Sequence, residues 1–307
     1  MDCYSLPPVA TDSRLILRSG GYLKSIKILP NGHATYGYRD TNYEYIVSDM
    51  LKDFKEKYTG TKEYKYIDYD GVGNVNPSEL ILDGNTIYNF AKLGYTNDSG
   101  FTSYDMYLLK YDSEANLQEI INLQEGVDNK VSPFYIYRPY KYGNNIIFKL
   151  AKGDESYICS YNLSEKKYNF KYKMGSLSLS DNYTGNQNSS YIITGDTIVF
   201  PEIKASSKSD EYYDYYNLVF TAIDINNGKI IKQYSHKALQ NLKYRVDKIN
   251  VQSSLSDKNS IYFFAKKTTE NFIHKMIIKI DSPNNKVIKS QYRMDNQLTG
   301  VIKVNNR

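Results

Sequence analysis

A turn-plus-strand signature recurs four times along this 307-residue chain, and repetition at that scale constrains the chain to stack copies of one small unit. The copies are Asp83-Gly84-Asn85-Thr86-Ile87-Tyr88, Tyr142-Gly143-Asn144-Asn145-Ile146-Ile147, Thr194-Gly195-Asp196-Thr197-Ile198-Val199 and Lys258-Asn259-Ser260-Ile261-Tyr262. Their reference residues Ile87, Ile146, Ile198 and Ile261 are 59, 52 and 63 residues apart. Downstream of each copy an apolar run closes on Asp112, Asn162, Asp224 or Asp281. A polar turn and a returning run follow, at Leu117–Ile121, Tyr168–Tyr172, Ile230–Tyr234 and Val287–Tyr292. These runs are short, β-branched or aromatic, and bounded by turn residues, which is the pattern of strands.

Each unit therefore reads as a small antiparallel sheet with two apolar faces. Alone it cannot bury both, whereas sheets stacked around an axis shield one another. The strand–Asp–turn–Gly-Lys–strand hairpin resembles the outer hairpin of quinoprotein-like, YVTN-like and TolB-like β-propellers, over roughly residues 80–295. The resemblance implies an all-β propeller of five to seven four-stranded blades and carries no catalytic residues. The Trp-Asp marks of WD-repeat blades are missing, because the chain has no Trp. Residues 1–307 are expected to form a single domain, with 1–75 as an irregular first blade. One short helix is expected near 48–58, where Ser48-Asp49 would cap it, Met50, Leu51, Phe54 and Tyr58 share a face, and Gly60 ends it. A last strand at 300–305 would pair into the first blade and protect the open sheet edges. The alternative architecture is a twisted β-sandwich.

Composition removes several function classes. Hydrophobic content of 41% and charged content of 24% exclude wholesale disorder. Two cysteines, Cys3 and Cys159, cannot make a four-thiolate zinc site, and His33, His236 and His274 lie far apart. The local signatures of zinc proteases, serine hydrolases, P-loops and dinucleotide folds are missing. Net charge is +5 with lysines dispersed among acids, so no nucleic-acid partner is expected. The densest basic stretch, Lys166-Lys167 with Lys171 and Lys173, reads as an edge strand guarded by lysine.

No stretch approaches a transmembrane helix, and no secretory leader is visible. The Tyr/Asn/Lys-rich composition resembles exported proteins of AT-rich Gram-positive bacteria. With Cys3 so near the start, the chain is expected to be an extracellular or cell-surface lipoprotein, any membrane contact running through a lipid on Cys3. The alternative is a cytoplasmic protein.

Two sequence features carry candidate sites. Residues 68–79 resemble a degenerate EF-hand loop. Asp68, Asp70, Asn74, Asn76 and Glu79 take ligand positions and Gly73 the sharp turn, so calcium is the candidate cofactor. Val72 replaces an oxygen ligand and no entering helix precedes the loop. The competing reading is an inter-blade loop whose acids are solvated. The second feature is the abundance of tyrosine, 33 residues. Most suit half-buried strands, but Ser206–Tyr216 reads as a long hairpin loop. Its Tyr212, Tyr213, Tyr215 and Tyr216 are the candidate partner contacts. The expected role is a non-enzymatic binding module for a protein, peptide or glycan. The alternative is a carbohydrate-active enzyme, a glycosidase or polysaccharide lyase, on the same scaffold.

Overall fold

A computed structural model describes residues 9–11, 14–19, 22–27, 45–57, 80–96, 102–128, 134–152, 155–175, 191–243, 246–257, 259–268, 273–281 and 286–292. These form five antiparallel sheets, four of them in simple up-and-down order along the chain and the fifth carrying one added strand. The first holds β1 (Val9–Ala10), β2 (Arg14–Ser19), β3 (Tyr22–Lys27) and β4 (Tyr45–Asp49). The second holds β5 (Ile81–Asp83), β6 (Thr86–Thr96), β7 (Thr102–Tyr111) and β8 (Leu117–Asp128). The third holds β9 (Phe134–Tyr142), β10 (Asn145–Lys152), β11 (Glu155–Asn162) and β12 (Lys167–Lys173). The fourth holds β13 (Ile192–Thr194), β14 (Thr197–Ser209), β15 (Asp214–Asp224) and β16 (Ile230–Tyr234), with β17 (Leu242–Lys243) added beside β15. The fifth holds β18 (Lys248–Ser256), β19 (Ser260–Thr268), β20 (Ile273–Asp281) and β21 (Lys286–Tyr292). Consecutive four-stranded meanders of this kind are the blades of an all-β propeller. The repeat units of the sequence fall one to a blade, and the irregular N-terminal part supplies the first.

The turns repeat because their chemistry repeats. Between the first two strands of blades two, three and four, Gly84, Gly143 and Gly195 adopt φ of +58°, +54° and +55°, a conformation that glycine adopts without steric cost. Blade five has no glycine there. Asp257 instead accepts the N–H groups of Asn259 and Ser260 at 2.9 and 2.8 Å. The outer hairpins of blades two, three and four all start on a side-chain cap. Asp112 Oδ1 accepts from the N–H groups of Glu114 and Asn116, Asn162 Oδ1 from Ser164 and Glu165, and Asp224 Oδ1 from Asn226 and Asn227.

The chain divides into two compact units, Met1–Gly153 with Tyr161–Tyr168, and Asp154–Ser160 with Asn169–Arg307. Each has its own core. In the first, Ile16, Leu23, Ile87, Tyr107, Leu109 and Tyr111 pack between blades one and two. In the second, Leu218, Phe220, Phe263, Met276 and Ile278 pack between blades four and five, with the Phe220 and Phe263 rings 4.6 Å apart. Buried residues alternate along β19 (Ile261, Phe263 and Ala265), as a sheet with one covered face requires.

The helix α1 (Met50–Lys57) follows β4 directly. Asp49 Oδ1 accepts the Lys52 N–H at 3.0 Å, and the Ser48 hydroxyl bonds the Asp53 carboxylate. Met50 is buried. Gly60, the calcium-loop candidates Asp68, Asp70, Asn74, Asn76 and Glu79, the strand at 300–305 and Cys3 lie outside the described residues.

Candidate functional site

Ser206–Tyr216 is not the long loop its composition suggests. Strand β14 runs on to Ser209 and β15 begins at Asp214, so only Asp210–Tyr213 turns. The ladder pairs Lys204 with Asn217, Ala205 with Tyr216 and Ser209 with Asp214, with an irregularity between Ala205 and Ser209. Serine, lysine and aspartate disguise the strand because they score poorly for β structure, and here pairing overrides that preference. The two strands are 13 and 11 residues long, against 3 for β13 and 5 for β16. The hairpin therefore runs on past both neighbours and, among the described residues, is flanked near its end by β17 alone, which pairs with Tyr215 and Tyr216.

Asp210 organises the tip. Its Oδ1 accepts the Tyr212 and Tyr213 N–H groups at 2.9 and 2.7 Å, and its Oδ2 accepts the Tyr215 hydroxyl at 2.5 Å. The Tyr215 hydrogen bond, then the Tyr212 amide, holds the Asp210 carboxyl below its ordinary range; the same bond raises the Tyr215 hydroxyl. Lysines cover two rings. Lys208 Nζ stands 4.4 Å from the centre of Tyr215, and Lys243 Nζ stands 4.4 Å from that of Tyr213. Tyr212 is left 82% exposed, and Tyr213 is half-buried.

Of the four candidate tyrosines, Tyr215 and Tyr216 are buried, which removes their rings from the surface, while Tyr212 and Tyr213 keep exposed area. Tyr216 donates its hydroxyl to the Asp247 carbonyl, and its burial raises that hydroxyl. Asp247 in turn pairs with Lys267 at 2.7 Å and accepts the Lys243 N–H at 3.1 Å. On the other side, Ser206 Oγ donates to Asn241 Oδ1 at 2.5 Å, and Asn241 N–H donates to Asn217 Oδ1 at 2.9 Å. The tip is thus braced at its base and presents one free ring. Asp210 and Lys208 stand within the stretch itself; the Lys243 cover was not legible, because it comes from β17.

Behind the tip lies a buried carboxylate that the sequence reading missed. Glu202 on β14 is 3% exposed. It accepts from the Thr221 hydroxyl, from Gln233 Nε2 at 3.1 Å, from the Gly175 N–H at 2.9 Å and from the Tyr172 hydroxyl at 3.5 Å, with Lys204 Nζ at 3.5 Å. Burial, and then the Glu202 charge, push Tyr172 up to about 12. A Cβ on Gly175 would stand 2.7 Å from the Ile203 carbonyl oxygen, so only glycine lets the backbone come this close. With its acceptor sites taken, Glu202 is a brace rather than a free acid or base. On β10, Lys149 is 1% exposed and stands 5.6 Å from the Tyr137 ring. Burial, and then the Arg138 charge, lower it to about 7. Its signal was a charge inside the apolar run Ile146-Ile147-Phe148-Lys149-Leu150. Among the described residues, no three His, Cys, Asp or Glu side chains converge on a metal position.

No family model matches the chain, and no curated protein matches it. Solved structures similar to it include propellers. The Dos1 propeller shares 11% identity over 94% of this chain and 57% of its own, with a TM-score of 0.39. The WD40 domain of SCAP from fission yeast shares 11% over 98% and 67%, with a TM-score of 0.37. The β-propeller domain of the Trilobed protease from Pyrococcus furiosus shares 9% over 95% of each chain, with a TM-score of 0.31. The chain spans little more than half the length of the first of these. The propeller assignment itself rests on the five meander sheets and the repeat that builds them.

Proposed function

We propose that this propeller is a non-catalytic recognition module that contacts a partner protein through the tip of the β14–β15 hairpin. The observation that supports the reading is Tyr212, 82% exposed at the end of a hairpin whose base is hydrogen-bonded on both sides. A rigid, amphipathic ring loses little conformational entropy on contact, which is why tyrosine is enriched in interfaces. Lys208 and Lys243 add charge at its foot, so the surface favours a protein with both an apolar and an anionic patch.

A photo-crosslinking amino acid at position 212, irradiated in extract of the source cells, tests this. One dominant protein adduct is expected, lost when Asp210→Ala unpins the turn. Adducts identical to those from a crosslinker at the exposed Gln118 would overturn the reading, as would no adduct at all. Export, with a lipid on Cys3, belongs to this reading as a proposal, checked by mass spectrometry of the native N-terminus. Calcium at 68–79 is likewise proposed, checked by calorimetric titration against an Asp68→Ala, Asp70→Ala variant.

A further inference from the structure

The outer strand of blade four is a sheet edge with bare apolar side chains. Strand β16 pairs with β15 on one side, and among the described residues no strand pairs with the other. A free edge of this kind presents unpaired N–H and C=O groups. Here it also presents Ile230 and Ile231, 51% and 58% exposed and adjacent in sequence. The cause is a register shift: Lys232 faces Ala222 and Ile230 faces Ile223, so Ile231 has no partner across the ladder.

The charge around this edge is one-sided. Residues 225–246 contain no Asp or Glu, yet hold Lys229, Lys232, Lys237, Lys243 and Arg245. Lys232 Nζ stands 5.4 Å from the Tyr234 ring. Among the described residues, no carboxylate lies within ion-pair reach of Lys229, Lys232 or Lys237. The counter-charge of this border is missing from the border itself.

We infer that β16 is a strand-addition site for an extended, acidic segment of a partner protein. The added strand would take the free backbone groups of β16, rest apolar side chains on Ile230 and Ile231, and set carboxylates against Lys229 and Lys232. In this mode main-chain hydrogen bonds give affinity and alternate side chains give specificity. A second copy of this chain fits worse. Antiparallel self-pairing about the middle of the strand would set Lys232 opposite Lys232, and like charges directly opposite are destabilising. The inference deepens the recognition reading by naming partner chemistry. Beyond β16 the same side of β15 is taken up by β17, which reaches Tyr215 and Tyr216 at the hairpin tip.

The test uses the full chain and two fluorescein-labelled peptides, one alternating Glu and Val, the other alternating Lys and Val. Anisotropy should show binding of the acidic peptide alone, and hydrogen exchange should show new protection over Ile230–Tyr234. The double variant Lys229→Glu, Lys232→Glu should weaken binding by about tenfold or more, as charge reversal across an interface does. Ile231→Asp should abolish it, and both variants should keep the parent's urea midpoint. Gln118→Ala, at an exposed position of blade two, should leave peptide affinity within about twofold, since it shares no partner with β16. Failure here is separated from failure of the tip, which the crosslinking at position 212 reads independently. The inference is overturned if the acidic peptide does not bind, or if both peptides bind alike. It is also overturned if the variants bind normally, or if the free chain dimerises with Ile230–Tyr234 already protected.

Discussion

Blades three and four both place lysine on their outer strands and treat charge in opposite ways. On and beside β12, lysines have acidic partners: Lys166 with Glu119 at 2.7 Å, Lys167 with Glu165 at 2.9 Å, and Lys173 with Glu155. No large hydrophobic residue is exposed along that strand. On and beside β16, Lys232 and Lys229 have no carboxylate within ion-pair reach among the described residues, and two isoleucines are bare. The interiors invert this. Blade three buries a cation, Lys149 on β10, and blade four buries an anion, Glu202 on β14. Lysine count alone therefore does not say whether a strand edge is guarded; the acids around it decide. A neutralised edge offers no free charge to an incoming strand, whereas an uncompensated basic edge attracts an acidic one.

The buried cation supplies the largest expected effect. Lys149 is lowered from 10.5 to about 7 in the folded chain, so between those values the unfolded chain binds the extra proton. Stability from this group is fully present above about pH 10.5 and is lost as pH falls through 7. Urea unfolding should therefore become harder by several kcal/mol from pH 7 towards pH 10. Lys149→Met should flatten that rise and make the two blades alike in this respect. An unchanged slope in the variant would show that the amine is solvated.

The buried anion comes next. Glu202 receives Tyr172 from β12 and Gln233 from β16, so it ties the two contrasted strands to one atom pair. Glu202→Ala leaves these donors buried without an acceptor, and should cost about 2–4 kcal/mol in urea unfolding. Tyr172→Phe and Gln233→Ala should each cost about 1 kcal/mol. Tyr172 also marks the alkaline limit. Its hydroxyl is raised from 10.0 to about 12, so the stability it contributes is lost as pH rises through that window. The Phe variant should lose less stability there than the parent.

How much of this could be read from the residues follows from range. The blades were legible because turn chemistry is local: Asp112, Asn162 and Asp224 cap the turns they start, and Gly84, Gly143 and Gly195 take the positive φ their turns demand. The tip was half legible. Tyr212 and Asp210 stand within a few residues of each other, whereas Lys243 arrives from β17, and whether a tyrosine is bare or buried depends on that distant cover. Glu202 was illegible, because four of its donors, Tyr172, Gly175, Thr221 and Gln233, come from outside β14 and only Lys204 stands near it in sequence. The bare edge was visible only as an acid-free stretch whose meaning needed the strand pairing.

The outer turns give a third contrast. The left-handed position is Ala115 in blade two, Lys166 in blade three and Gly228 in blade four, with φ of 63°, 52° and 69°. Only at Gly228 does a neighbour intrude: a Cβ there would stand 2.6 Å from the Phe170 ring of β12. Gly228→Ala should thus cost about 2 kcal/mol, since the overpacking adds to the strained φ. Lys166→Gly should change stability by less than about 1 kcal/mol, because relief of the same strain is offset by a looser unfolded chain. Equal effects at the two turns would mean that Phe170 moves aside.

Single charge removals are the smallest and sharpest test of the edge comparison. Lys173→Ala breaks an exposed pair with Glu155 and should cost less than about 1 kcal/mol, an effect that fades in high salt. Lys232→Ala breaks no pair and relieves repulsion in the acid-free stretch, so stability should hold or rise slightly, again only at low salt. The two substitutions remove the same side chain from strands in the same blade position, Lys173 from an ion pair with Glu155 and Lys232 from beside the Tyr234 ring. Opposite signs at low ionic strength that converge as salt is added would establish that β16 carries charge with no counterpart in the fold. Matching signs would mean that a carboxylate outside the described residues already serves it, and the edge would then be guarded as β12 is.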